Sequence, residues 1–79
     1  MSLTAGQIRA ARALLDWNQQ RLSEESGVSL ATIRRIESPR GPERSTAPNK
    51  DAIRLSLEKG GVLFLAQDGS GGEGVRLKK

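Results

Sequence analysis

The sequence predicts a mainly α domain of four helices followed by a C-terminal β-hairpin. Three observations carry this. Polar residues flanked by apolar neighbours mark helix starts near Thr4, Asn18 and Ser29. Gly27 and Gly60-Gly61 stand where helices should end, and after Gly61 the apolar pattern switches to a strand period. With 79 residues the chain has room for one core, its helical part over 1–60 and its hairpin over 61–79.

At the first start Thr4 caps, Gln7 completes a capping box and Leu3 staples to Ile8, giving a helix that runs to about Leu15. At the second, Asn18 caps, Trp17 staples to Leu22, and Gly27 supplies the left-handed residue that stops a helix of about two turns. At the third, Ser29 caps, Val28 staples to Ile33, and the helix over 29–37 ends before Ser38-Pro39, because proline disfavours a helical residue ahead of it. The run SPRGPERSTAP reads as a loop. A fourth helix opens after Pro48 with Asn49 as its cap, carries Ile53 and Leu57 on one face and closes at Gly60-Gly61. VLFLAQ and GVRLK then read as two strands around the Gly-rich DGSGGEG, with Val62, Phe64, Val75 and Leu77 on one face.

Composition narrows the function. There is no Cys, so neither disulfides nor thiolate-bound zinc supports the core, and a reducing cytoplasm fits. No stretch reaches the roughly 18 apolar residues of a membrane span, and MSLTAGQIRA lacks the apolar core of a signal peptide. No membrane partner is expected. The chain also has no His and no Tyr, which removes, with Cys, the commonest general bases and nucleophiles, so no catalytic residue, cofactor, metal or small-molecule ligand is expected. One Phe and one Trp are too few for aromatic platforms that stack single strands. The net charge of +4 favours a polyanion, and a net three of those charges fall between Arg34 and Lys50.

Two short helices joined by Gly27-Val28-Ser29 have the spacing of a DNA-binding helix-turn-helix. The run NQQRLSEESGVSLATIRRIES resembles the phage-repressor and Cro-like (XRE) helix-turn-helix domains over about residues 5 to 59. A cap, a Gln, a Leu, a Gly, a second cap, two Ile and a Glu fall in register. The resemblance implies a repressor-like domain that binds double-stranded DNA, a transcriptional regulator, acting in the cytoplasm on the nucleoid. Where that family continues with a fifth helix, this chain has the hairpin.

Leu22, Val28, Ile33 and Ile36 are spaced to be buried against Ile8, Leu15 and the fourth helix. With those inward, Leu30, Ala31, Thr32, Arg34 and Arg35 fall on or beside the outward face of the third helix, as base-reading candidates. Arg35 is the best reader, since a guanidinium pairs bidentately with guanine; Ala31 and Thr32 suit a thymine methyl, and Arg34 suits a base or a phosphate. Gln19, by resemblance, clamps a phosphate at the start of the second helix, and Arg40, Arg44 and Lys50 are further phosphate candidates. The resemblance also implies a structural ion pair between Arg12 and Glu37.

Other readings compete. The loop DGSGGEG lacks the features of a phosphate cradle or calcium loop and reads as a turn. A protein-interaction module, such as an antitoxin or co-regulator, is the alternative function; the polar outer face of the third helix argues against it. A homodimer is expected, with Leu63 and Leu65 as its interface because they alternate with the inward Val62 and Phe64. The competing arrangement packs both leucines under the first helix near Leu14.

Overall fold

Each helix begins at a side chain that accepts a free backbone N–H. The computed structural model describes residues 3–41, 43 and 45–79. In α1 (Ala5–Leu15) the Thr4 hydroxyl accepts the Gln7 N–H at 3.1 Å while Gln7 Oε1 accepts the Thr4 N–H at 2.9 Å, a closed capping box. The helix stops at Asp16, which adopts the left-handed conformation (φ 59°). In α2 (Gln19–Ser26) the Asn18 side chain accepts the Arg21 N–H at 2.7 Å, and Gly27 (φ 75°) closes the helix. In α3 (Leu30–Ile36) the Ser29 hydroxyl accepts the Thr32 N–H, and Glu37 is the C-cap.

α4 (Ala47–Gly60) begins earlier than expected. Its cap is Thr46, whose hydroxyl accepts the Asn49 N–H at 3.3 Å, so Asn49 lies inside the first turn. Proline in the first turn of a helix costs nothing, because the missing N–H is one that has no partner there. Pro48 therefore sits within the helix, and the start moves back to the nearest hydroxyl ahead of it.

The hairpin consists of β1 (Val62–Leu65) and β2 (Gly74–Leu77), antiparallel with Val62 opposite Leu77 and Phe64 opposite Val75. The turn between them is closed by Asp68, whose Oδ1 accepts the Ser70 hydroxyl and N–H at 2.7 and 2.8 Å. The Ser70 hydroxyl, then its N–H, holds the Asp68 carboxyl below its ordinary value.

One core joins all six elements. Ile8, Leu22, Ile33, Ile36, Ile53, Leu57 and Val62 are fully buried, with Leu15, Trp17 and Val75 packed at its margin. Leu77 shares the inward face by register but remains 45% exposed. It is the last residue of its strand, and only Val75 of β2 packs against the core. β1 and β2 cover α1, and β1 also reaches α4. Gln7 fastens the far end of this sheet: its Nε2 donates to the Leu65 and Gly74 carbonyls at 3.2 and 3.0 Å. At the other end of the helical layer, Gly41 is buried where a Cβ would come 2.6 Å from Ile36 Cα.

Candidate nucleic-acid interface

α3 is amphipathic in the simplest way. Ile33 and Ile36 go into the core, and the remaining positions stay at or near the surface. Ala31, Arg34 and Arg35 are exposed; Leu30 and Thr32 are half-buried. The Thr32 hydroxyl accepts from the Ser29 hydroxyl at 2.8 Å, which turns its polar atom toward the cap. Among the described residues neither Arg34 nor Arg35 has an ion-pair partner, so both guanidiniums keep five donors for an incoming ligand. Their place in the last turn also suits the negative end of the helix dipole.

Behind this face lies a polar junction centred on Glu37. Arg12 Nε and Nη2 each donate to a Glu37 carboxylate oxygen at 2.7 Å, a bidentate pair with the Glu37 side chain 4% exposed. The third Arg12 nitrogen, Nη1, donates to the Trp17 carbonyl at 3.1 Å, so one side chain ties α1, the α1–α2 turn and the end of α3. Gln19, the first residue of α2, donates its Nε2 to Glu37 Oε1 at 3.2 Å. Its amide therefore faces the junction, and its carbonyl oxygen and the free N–H groups of the first turn of α2 remain for other partners.

Arg9 joins the same junction through the backbone: its Nη1 donates to the Glu37 carbonyl at 2.6 Å. Arg9 is not among the candidates that the motif singles out. Its signal was the spacing from Arg12, which sets two guanidiniums on one side of α1. The local pattern marks Gln7 only as half of a capping box; nothing near it in sequence marks its second use, because its partners lie 58 and 67 positions away.

The other basic candidates are more dispersed. Arg40 is exposed in the loop after α3 and lies 3.7 Å from Glu43, a pair too solvated to hold the side chain. Lys50 is half-buried in the first turns of α4. Arg44 lies outside the described residues. Arg21 lies 4.9 Å over the Trp17 ring and pairs with Glu25 at 2.9 Å.

Leu63 and Leu65 are 37% and 40% exposed, alternating with buried Val62 and Phe64. They point away from the core rather than lying beneath α1. Among the described residues no three of His, Cys, Asp and Glu cluster as metal ligands. Among the described residues no helix is long and apolar enough to cross a membrane.

Residues 8–46, which run from α1 through the loop after α3, match the family model described as helix-turn-helix. No curated protein matches the chain.

Proposed function

Because the chain belongs to the XRE-family, Cro-like helix-turn-helix domains, which are DNA-binding transcription regulators, we propose that it represses transcription by laying α3 in the major groove of double-stranded DNA. The observation that supports this most is the outward side of α3, where Arg34 and Arg35 stand exposed without ion-pair partners among the described residues. Arg35 reads a guanine by paired donors, Leu30, Ala31 and Thr32 shape the fit to neighbouring bases, and Arg34 takes a base or the adjoining phosphate. Gln19 with the first turn of α2, together with Arg40, Arg44 and Lys50, holds the phosphate backbone. The place of action is the cytoplasm, on the nucleoid.

Two copies act together. Helix-turn-helix proteins gain specificity by setting two reading helices roughly 34 Å apart, and the leucine face of the hairpin, Leu63 and Leu65, supplies a surface for a two-fold partner. In this reading residues 1–60 carry DNA binding and 61–79 carry assembly.

Selection of bound fragments from a random duplex library tests the reading. A recurring, two-fold-related sequence is expected. Arg35→Ala should then relax preference at one base position, whereas Arg40→Ala weakens all duplexes alike and flattens the salt dependence. Loss of affinity by both variants to the same degree on selected and random DNA would overturn the division of roles. Absence of any salt-sensitive duplex binding would favour the protein-interaction reading instead. A solution mass that stays monomeric at high micromolar concentration would remove the dimer.

A further inference from the structure

We infer that Arg9 is a positioning residue for the reading helix: it anchors the C-terminal end of α3 to α1 and so sets the angle at which α3 is presented to DNA. The inference rests on the DNA-reading role proposed for α3.

The physical need is clear from the packing. α3 has seven residues, packs chiefly on α2, and gives only Ile33 and Ile36 fully to the core. So short a helix has little stability of its own, and the carbonyls of its last turn lack helical partners. Two of the ties at that end come from α1. Arg12 takes the Glu37 carboxylate, and Arg9 takes the Glu37 carbonyl at 2.6 Å. The two contacts act on different groups of one residue, its side-chain carboxylate and its main-chain carbonyl, so together they resist rotation of the helix end where one would leave a pivot. A guanidinium at a helix C-terminus is also favoured by the dipole. Arg9 is otherwise exposed and has no ion-pair partner among the described residues, so this anchor is what holds its side chain.

The test compares Arg9→Met, Arg9→Lys and, as a charge-matched control on the hairpin, Arg76→Met. Binding is measured to the selected duplex and to random duplex over a range of salt, and amide exchange of residues 34–37 is followed in the free protein. For Arg9→Met the ratio of selected to random affinity should fall about fivefold, the scale of one ordinary net hydrogen bond. Its salt slope should match that of Arg76→Met, amide exchange at the end of α3 should quicken, and Arg9→Lys should restore both ratio and protection. An unchanged ratio would overturn the inference, as would uniform weakening with a salt slope lower than that of Arg76→Met, which is the mark of a phosphate contact. If the wild-type protein shows no duplex preference, the DNA-reading proposal is what fails. The anchor is then judged by exchange alone, and unchanged protection in Arg9→Met overturns it.

Discussion

Arg12 grips both carboxylate oxygens of Glu37, each at 2.7 Å, across the interval between α1 and the end of α3. The two ends of the pair are not equally buried: the Arg12 side chain is 18% exposed and that of Glu37 4%. Removing one partner of such a pair leaves the other charge uncompensated, at a cost of about 3–5 kcal/mol when it is buried. Arg12→Met should therefore be the more damaging change, near the upper end of that range. Glu37→Gln leaves a guanidinium that still bonds the Trp17 carbonyl and reaches water, so it should cost about 3 kcal/mol or less. The double variant should lie well short of the sum. Urea unfolding of the three variants measures this, and additive losses would show that the pair is not coupled.

Gly41 should tolerate no side chain. A Cβ there would come 2.6 Å from both Cα and the carbonyl carbon of Ile36, and closer still to the Arg35 carbonyl oxygen. These are backbone atoms and cannot swing aside. Gly41→Ala should destabilise by at least about 2 kcal/mol, the scale of overpacking against fixed neighbours. Gly72→Ala, where nothing stands within 4 Å, is the control and should change stability little. A Gly41→Ala protein that melts with the wild type would mean that the loop after α3 follows another path.

The true start of α4 gives a third prediction. Thr46→Ala should cost about 1 kcal/mol through loss of the cap, while Asn49→Ala should cost about 0.5 kcal/mol or less. The reverse order in thermal unfolding would restore Asn49 as the cap.

This site also shows where sequence reading stops. Thr4, Asn18 and Ser29 were legible because each cap stands between an apolar residue that staples and a helix whose apolar period begins at once. Near Pro48 two polar residues flank a proline, and either side of it is a lawful helix start, so only the backbone decides. The exposed side of α3 was legible because Ile33 and Ile36 leave little choice of inward face. The anchor from Arg9, the second role of Gln7 and the steric demand at Gly41 join atoms far apart in sequence, and no local pattern announces them. Leu77 follows the strand alternation faithfully, yet at the end of β2 it finds little core to cover.

Gln7 separates two functions that a single substitution can divide. Its oxygen closes the capping box on α1, while its amide nitrogen holds the Leu65 and Gly74 carbonyls at the far end of the hairpin. Gln7→Glu keeps an acceptor for the Thr4 N–H but sets a carboxylate oxygen against two carbonyl oxygens in a position that is 4% exposed. The helix start should survive and the hairpin should loosen. Unmet buried polar groups cost about 1–3 kcal/mol each, so a loss of about 2 kcal/mol or more is expected at neutral pH. Because a protonated carboxyl is again a donor, the loss should shrink as pH falls, in contrast to the wild type. Amide exchange resolved by residue separates the outcomes: faster exchange in β1 and β2 with α1 unchanged supports the divided role. Equal protection of both strands in Gln7→Glu and wild type at neutral pH would show that the hairpin is held by Val62, Phe64 and Val75 without Gln7.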